Sequence, residues 1–592
     1  MPKSSPEKAK HIKRTVKNLY RSLKPYYLPI ILAFVFAIIS VLLSILGPKI
    51  LGNITTSAVE SYTATGTVDW LPIRQLAHLL ITIYLASSIF AYLESIIMAI
   101  VTAKYAQSLR AAILDKINRL PVSYFDRHAF GDTLSRMSND IDTIASGLSE
   151  ELVEIISNTI TIVGILVIML TISIHLSVVA LVTVPLASIF VLKITKKAQK
   201  LFVSSRETLG KLSNRIEEDY SGQVIIKSNS HEQASLDAFR AVNDRYRSES
   251  FRATFLSRLS FPVVHIITSL GYTAVCILGG LLAIGGKITI GNIQAFIQYT
   301  NQFNRPISDI SETLANLQLT LAACERVFDF LAEPEETPDF PPAKTLDRVR
   351  GAVSFHDVSF SYDKDTPIIR NFSVDVQPGS QVAVVGPTGA GKTTIINLLM
   401  RFYEPDSGYI TIDGIPISEM KRSDVRGLFG MVLQDTWLFS GTVAENLKYG
   451  NKNATIEDIK RSTKLANIDH FIESLDKGYD ALISEDSDNI SAGEKQLLTI
   501  ARALVANPPM IILDEATSNV DTRTEQLIQS AFEKLTKGRT SFVIAHRLST
   551  IRNADLILVM QNGKIVERGN HDELLKQNGF YAELYNSQFA DS

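Results

Sequence analysis

A glycine-rich segment, VAVVGPTGAGKTT (382–394), carries the residues best suited to hold phosphate groups. Gly386, Gly391, Lys392 and Thr393 follow the order Gly-x4-Gly-Lys-Thr between an apolar run and a helical pattern. Glycines let backbone N–H groups turn inward around phosphate oxygens, and the start of the following helix adds positive potential. We therefore expect Lys392 to contact the β- and γ-phosphates and the Thr393 hydroxyl to bind Mg²⁺.

Residues 489–521 hold the second group of candidate residues. A Ser-x-Gly sequence, Ser491 to Gly493, opens a helical pattern, and an apolar run follows that ends in Asp514 and Glu515. A carboxylate at the end of such a strand can hold the same Mg²⁺ through water, which is the role expected of Asp514. Glu515 is placed to activate the water that attacks the γ-phosphate, although an acidic helix cap or surface residue is the alternative.

These motifs together resemble those of ATP-binding cassette (ABC) exporters. The resemblance implies that ATP is the nucleotide and that it is held by the following candidate residues: Tyr362, Gly386, Thr388, Gly389, Ala390, Gly391, Lys392, Thr393, Thr394, Ser491, Gly493 and Asp521. It also implies that Ser491 and Gly493 close over the ATP bound by a second motor domain, with Asp521 in the seam between the two.

Three further roles follow from the resemblance, and each has a structural alternative. His546 would contact the γ-phosphate, or it caps the strand TSFVIAH. Gln434 would link Mg²⁺ and the attacking water to the membrane part, or it is an ordinary loop amide. Tyr362 would stack on adenine, or it is a core or surface tyrosine. The candidate catalytic residues are thus Glu515, His546 and Gln434, and the candidate Mg²⁺ ligands are Thr393, Gln434 and Asp514.

The first half of the chain must position this motor in a membrane. Six apolar runs are each near the length that crosses a bilayer: Tyr27–Leu46, Ala77–Val101, Leu152–Ile172, Leu176–Ile194, Phe261–Ile284 and Ile290–Thr313. Lys and Arg concentrate in the N-terminal segment and in the long connections 102–151 and 195–260. The positive-inside rule therefore places both termini and the motor in the cytoplasm of a multi-pass cell-membrane protein.

The predicted fold class is an all-α transmembrane domain of six helices fused to an α/β P-loop nucleotide-binding domain. The transmembrane domain is expected over residues 1–332 and the nucleotide-binding domain over 351–592. The Pro-rich, acidic sequence EPEETPDFPPAK falls within a linker at 333–350. Residues 120–142 and 217–233 resemble exporter segments that flank coupling helices, which dock on nucleotide-binding domains; solvated hairpins are the alternative.

Polar residues in the membrane half point to the transported molecule less clearly. Gln294, Gln298, Asn301 and Arg305 recur at helical spacing in the last span, where they either line a substrate pathway or hold helices together. Glu94 in the second span attracts cationic substrates, or it forms a salt bridge or lies as a carboxylate at the level of the lipid headgroups.

A net charge of −2 over 592 residues gives no general attraction to nucleic acid, and two cysteines exclude a disulfide framework. One motor and one set of spans make half of a transporter. We expect ATP-driven export of drugs or other small amphipathic substrates, with membrane lipids as neighbours. A lipid or peptide exporter and an ATP-gated channel or regulator are the alternatives.

The expected partner is a second ABC half-transporter. A heterodimer is favoured because Ala492 and Glu494 depart from the family signature LSGGQ, while the chain's own catalytic residues are of the competent type. A methyl group at position 492 would restrict the backbone and crowd the partner's γ-phosphate. A homodimer is the alternative.

Overall fold

The computed structural model describes residues 10–339, 343–346, 348–363, 366–434, 436–484, 490–514, 521–545 and 548–589. The chain divides into two compact units. The helical unit comprises Met1–Asn118 and Ala129–Pro334, and the α/β unit comprises Arg119–His128 and Glu335–Ser592. Glu515 and His546 lie outside the described residues, as do the side chains of Asn304 and Arg305.

The N-terminal part of the chain is helical throughout. Its α-helices are α1 (Ile12–Ser22), α2 (Tyr27–Thr65), α3 (Trp70–Arg119), α4 (Val122–Arg127), α5 (Phe130–Ser135), α6 (Ile141–Ser146), α7 (Leu152–Ile172), α8 (Ile174–Ser221), α9 (Gln223–Ser228), α10 (Glu232–Arg258), α11 (Ser260–Ile284) and α12 (Ile290–Leu331). A 3-10 turn covers Lys24–Tyr26, and π turns cover Arg136–Asp140 and Gly147–Glu151.

All six apolar runs of the sequence fall within helices of the helical unit. Within the described residues, four helical stretches are long and apolar enough to cross a membrane: Lys24–Thr65, Trp70–Arg119, Phe130–Ile172 and Glu232–Ile284. A shorter apolar stretch covers Ile174–Thr183. The chain is therefore a membrane protein, and the count of six spans stays a prediction.

Small residues set how closely two of these helices approach. Gly52 of α2 and Gly291 of α12 face each other, and a β-carbon on either glycine would overlap the backbone of the other. Such close contacts are typical of helices that pack inside a bilayer. Nearby, the buried Tyr299 of α12 donates its hydroxyl to the carbonyl oxygen of Ile45 in α2 at 2.8 Å.

The α/β unit is built on three sheets. Its strands are β1 (Val353–Asp363), β2 (Thr366–Val376), β3 (Gln381–Val385), β4 (Ser407–Ile412), β5 (Ile415–Pro416), β6 (Phe429–Val432), β7 (Gly441–Thr442), β8 (Leu482–Ile483), β9 (Met510–Asp514), β10 (Thr540–Ile544), β11 (Leu556–Gln561) and β12 (Lys564–Gly569). Its helices after the linker are α13 (Lys392–Leu399), α14 (Arg422–Gly427), α15 (Val443–Lys448), α16 (Ile456–Leu465), α17 (Asp469–Ser474), α18 (Ala492–Ala506), α19 (Thr522–Thr536), α20 (Leu548–Arg552), α21 (His571–Gln577) and α22 (Phe580–Phe589).

The central sheet has six strands in the order β12-β11-β3-β10-β9-β6, parallel except for β12. The apolar runs QVAVV, TSFVI and MIILD form its middle strands because a parallel strand is buried on both faces. An antiparallel sheet, β2-β1-β4-β5, is separate from it. The fold class predicted from the sequence is confirmed.

The start of the predicted linker is fixed to the α/β unit by arginines. The Arg422 guanidinium donates to the carbonyl oxygen of Thr337 at 2.6 Å and to the Asp339 carboxylate at 3.1 Å. The Arg426 guanidinium donates to Glu336 at 2.9 Å. Fork-shaped donors suit this task because they bind carboxylates and carbonyls at fixed angles.

Candidate functional site

The glycine-rich loop lies between the end of β3 and the start of α13. Gly386, Gly389 and Gly391 have φ values of 153°, 83° and 98°. At Gly391 a β-carbon would lie 2.7 Å from the Cδ1 atom of Ile369. The glycines are thus required both for left-handed backbone and for close packing, and a backbone of this kind can turn N–H groups toward phosphate oxygens.

Within the loop, the candidate residues differ in their exposure to solvent. Thr388, Gly389 and Thr393 are exposed, whereas Ala390 and Thr394 are buried. The exposed Thr393 hydroxyl can therefore reach a ligand. The Thr394 hydroxyl instead accepts a hydrogen bond from Tyr362 at 3.3 Å.

Lys392 begins α13 and turns back onto its own loop. Its Nζ donates to the carbonyl oxygens of Gly386 at 2.7 Å and Pro387 at 3.1 Å. Burial lowers the pKa of the Lys392 ammonium below its ordinary value, and the negative charge of Asp514 acts in the opposite direction. The two motifs, separated by more than a hundred residues in sequence, therefore meet at one site.

This site lies at the carboxyl end of the parallel strands, the edge where α/β sheets bind ligands. Asp514 ends β9 opposite Ile544 of β10, and Val432 of β6 pairs with Leu513. The exposed Gln434 follows β6 by two residues and so reaches the same edge. The predicted catalytic Glu515 directly follows Asp514, and His546 follows β10 by two residues; both lie outside the described part of the chain.

The donor set at this edge fits Mg²⁺. Thr393, Gln434 and Asp514 offer a hydroxyl, an amide and a carboxylate oxygen, and Mg²⁺ prefers oxygen ligands. In the described residues no group of three or more His, Cys, Asp or Glu side chains is arranged for a metal ion.

Tyr362 of β1 is half-buried beside α13. Its hydroxyl donates to Thr394 and accepts from the Asn397 amide at 3.1 Å. Its ring meets Tyr403 edge to face, with centroids 5.0 Å apart and an interplanar angle of 89°. The helix that begins at Lys392 thus fixes the orientation of this ring, which is what an aromatic platform for adenine requires.

Short helix α4, in the first of the two connections that resemble coupling segments, contacts this same region of the α/β unit. The Tyr403 hydroxyl donates to the Asp126 carboxylate. The Arg127 guanidinium donates to the carbonyl oxygen of Tyr362 at 3.1 Å. Burial, and then Asp126, raises the pKa of Tyr403. The sequence predicted a coupling helix in this connection but not its contacts with Tyr403 and Tyr362. Tyr403 lies in the sequence RFYEP shortly after α13.

The Ser-x-Gly signature forms the start of α18. Ser491 is the N-cap: its hydroxyl oxygen accepts from the Glu494 N–H at 3.3 Å, and Glu494 Oε2 accepts from the Ser491 N–H at 2.8 Å. This is a capping box, so the Glu494 carboxylate has a structural task at its own helix. Ala492 is the first helical residue and is exposed, while Gly493 is buried.

Asp521 has a similar role one helix later. It is the N-cap of α19, and its Oδ2 accepts from the Thr524 N–H at 3.0 Å. Hydrogen bonds from the Thr524 side chain and backbone lower the pKa of Asp521. The carboxylate is therefore ionised and oriented at the N-terminus of α19.

In the helical unit, the residues of the polar stripe on α12 differ in their contacts and exposure. Gln294 accepts a hydrogen bond from the Thr55 hydroxyl of α2, which favours the alternative that this residue holds helices together. Gln298 is half-buried and Asn301 is exposed. Glu94 lines a groove of about 750 Å³ together with Glu150 and Glu154.

Comparison with known proteins gives the family. Residues 30–307 match the ABC transporter transmembrane region, and residues 369–518 match the ABC transporter domain that follows it. A fatty acid ABC transporter ATP-binding/permease protein of Mycobacterium tuberculosis is 47% identical over 517 residues, 87% of this chain and 82% of the relative.

Two further relatives cover nearly all of both chains. An ABC transporter ATP-binding protein of Bacillus subtilis is 38% identical over 582 residues, 98% of this chain and 95% of its own. An ATP-dependent lipid A-core flippase of Photobacterium profundum is 32% identical over 577 residues, 97% and 98% of the two chains. Half-transporters of this family act as dimers. The chain belongs to the ABC transporter family, and it is an exporter-type membrane protein that binds ATP and uses its hydrolysis to export amphipathic substrates.

Proposed function

We propose that this chain is one half of a heterodimeric exporter and that it supplies the hydrolytic ATP site. Six spans would form a transmembrane domain over residues 1–332, with both termini cytoplasmic, followed by a linker at 333–350 and a nucleotide-binding domain over 351–592. The observation that carries the proposal is the meeting of Lys392 and Asp514 at the carboxyl edge of the sheet.

The residues at that edge divide the work of hydrolysis. The N–H groups of the glycine-rich loop and Lys392 hold the phosphates, and the fixed ring of Tyr362 stacks on adenine. Thr393, Gln434 and Asp514 would hold Mg²⁺, which neutralises charge on the phosphates. Glu515 orients the attacking water and accepts its proton, while His546 contacts the γ-phosphate.

The signature residues complete a site in the other subunit. Ser491 and Gly493 at the start of α18 would close over ATP bound by the partner, with Asp521 beside them. ATP binding at both sites would draw the two nucleotide-binding domains together, and α4 and α9 would pass this closure to the spans. Hydrolysis would reset the inward-facing state.

The heterodimer rests on Ala492. As the first residue of α18 it has ordinary helical geometry, so the proposal does not rest on the backbone restriction expected from the sequence. The proposal rests on the exposed methyl group of Ala492. In a closed dimer this methyl would stand where the family's glycine lets the partner's phosphate approach. We therefore infer a partner with the family signature and a substituted catalytic glutamate.

We propose an amphipathic molecule with a long acyl chain as the substrate. The names of the relatives support this, since one is a fatty acid transporter and another a lipid A-core flippase. Such a substrate falls within the wider class of drugs and other amphipathic molecules expected from the sequence. Within the dimer, Gln298 and Asn301 are the residues of the polar stripe that the structure leaves available to contact it.

Uptake into inverted vesicles tests the proposal. Vesicles from cells that make this chain and its partner would be given a labelled fatty acid, a fluorescent phospholipid, a cationic dye and a peptide, with Lys392→Ala vesicles as the control. The expected result is ATP-dependent accumulation of the acyl-chain compounds alone. Accumulation of the dye or peptide instead would refute the substrate class, and ATP-gated ion currents without accumulation would favour a channel.

A further inference from the structure

An apolar cavity of about 300 Å³ lies in the helical unit, a size at the lower end of ligand pockets. Its walls are apolar and tyrosine side chains from α1, α2, α3 and the beginning of α7, with Phe34 and Met98 among them. It is separate from the ATP site, and none of the proposed steps of hydrolysis uses it.

The cavity lies at the level of one membrane surface. Three of its lining residues are ends of the predicted spans: Tyr27 begins the first, Val101 ends the second and Leu152 begins the third. Tyr20 and Tyr27 lie at this level with ring centroids 4.9 Å apart, and tyrosines concentrate at membrane interfaces. Ile31 lines the cavity and is 58% exposed, so the cavity opens toward the outer side of α2.

Positive charge stands beside this opening. Lys17 precedes Tyr20 by three residues on α1, and Lys24 precedes Tyr27 by three residues, so each lysine lies on the same side of the chain as a lining tyrosine. Both lysines are exposed. A phosphate at the membrane surface could therefore meet two ammonium groups directly above the cavity.

Negative charge lies on the other side. Met98 and Thr102 line both this cavity and the groove of about 750 Å³. That groove carries Glu94, Glu150 and Glu154, besides Arg110, whose charge is paired with that of Asp142. A phosphate would be repelled there, which confines an anionic headgroup to the α1 side.

The position of α1 is fixed at both ends. The Glu325 carboxylate of α12 accepts from the N–H groups of Lys10 and His11 at 2.7 and 2.9 Å. At the other end, the hydroxyls of Ser22 and Tyr105 are 2.6 Å apart. Both ends of α1, the helix that carries Lys17 and the lining residue Tyr20, are thus held to the bundle.

We propose that this cavity binds one acyl chain of an anionic phospholipid from the surrounding leaflet, with the lipid phosphate held by Lys17 and Lys24. The bound lipid fills the space between α1, α2, α3 and α7. It joins α1 to the bundle and, through Glu325, to α12. The site is a bound-lipid site and is independent of which molecule is exported.

A tryptophan placed in the cavity tests the proposal in the assembled transporter. Both native tryptophans, Trp70 and Trp437, would be replaced by Phe, and Phe34→Trp would serve as the reporter in phosphatidylcholine nanodiscs without ATP. Brominated phosphatidylglycerol and brominated phosphatidylcholine would then be compared as quenchers at equal fractions. Leu28→Trp is the control, since Leu28 lies on the same helix α2, is 78% exposed and does not line the cavity.

The expected result is stronger quenching by phosphatidylglycerol at Phe34→Trp and equal quenching by the two lipids at Leu28→Trp. Lys17→Gln and Lys24→Gln should each weaken the apparent phosphatidylglycerol affinity about fivefold, from about 1 kcal/mol per basic residue. ATPase activity of each variant reports that it is folded. Equal quenching by both lipids at Phe34→Trp, or the same preference at Leu28→Trp, would overturn the proposal.

Discussion

Two short helices of this chain, α4 and α9, are alike in length and differ in their surroundings. Each has six residues and lies in a long connection between predicted spans. Helix α4 belongs to the α/β unit, where Asp126 and Arg127 contact Tyr403 and Tyr362. Helix α9 belongs to the helical unit, and its Val224 and Ile225 are 81% and 69% exposed.

The difference indicates which coupling contact one chain can make by itself. Helix α4 already contacts Tyr362, the proposed adenine platform, and Tyr403 beside it in the same chain. Helix α9 presents two large, exposed apolar side chains, and exposed apolar residues of this kind mark interaction sites. We infer that the nucleotide-binding domain of the second half-transporter covers α9.

Stopping hydrolysis should have the largest effect. Glu515→Gln keeps the size and hydrogen bonding of the side chain but removes the base, so ATP turnover should fall by about 10²- to 10⁴-fold. ATP should still bind, and both coupling contacts should persist in a closed dimer. Turnover and nucleotide trapping in the assembled transporter measure this. Near-normal turnover would show that Glu515 is not the base.

Breaking the contact of α9 should have the next largest effect. Ile225→Asp should weaken docking about 10- to 100-fold, because burial of an isoleucine side chain contributes about 1.5–3 kcal/mol. Transport and substrate-stimulated ATPase should fall, while the thermal stability of the isolated chain stays unchanged. Ser228→Asp, an exposed change on the same helix, is the control. Unchanged transport in the Ile225 variant would mean that α9 stays in solvent.

The contact of α4 offers a smaller, intrachain test. Tyr403→Phe keeps the ring and removes the hydrogen bond to Asp126, which should cost about 1.5 kcal/mol and reduce coupled transport about tenfold. Asp126→Asn should act on the same contact, so the double variant should lose little more than either single variant. Losses that simply add would show that the two residues act separately.

The smallest effect should come from the signature. Ala492→Gly removes one methyl group and leaves the capping box of Ser491 and Glu494 intact. Relief of about 1 kcal/mol of crowding should tighten ATP about fivefold at the site where the partner binds ATP and this signature closes over it, with little change in turnover. Equilibrium ATP binding in the Glu515→Gln background measures this. A comparable rise in turnover would place this signature at a hydrolysing site, as in a homodimer.

The sequence predicts phosphate-binding residues because the chemistry they need is local, and their role stays a prediction. A loop that cradles phosphate needs glycines and a lysine within a few positions, and the strand that ends in Asp514 is apolar along its length. The order of parallel strands then brings Lys392 and Asp514 together. Long apolar runs likewise indicated the apolar helices of the membrane half.

Contacts between distant segments could not be predicted from the sequence. Tyr403 and Asp126 are 277 positions apart, and neither residue type announces its partner. The stripe on α12 could not be interpreted either, since Gln294 and Gln298 look alike in sequence and only Gln294 contacts Thr55 in the structure. The capping role of Glu494 was not predicted, because the family resemblance places this residue near the phosphates bound by the partner, whereas the structure shows it in a capping box with Ser491.

Expression of this chain alone tests most directly whether it works as half of a heterodimer. In a heterodimer, α4 contacts the nucleotide-binding domain of its own chain, and α9 contacts that of the other subunit. The purified chain in nanodiscs would be examined for its mass and its ATPase activity, and then again after co-expression with the second half-transporter. We expect that the chain alone forms no stable homodimer and hydrolyses little ATP. Full ATPase activity and transport should appear only in the complex with the second half-transporter. A stable homodimer with full ATPase and transport would contradict this expectation.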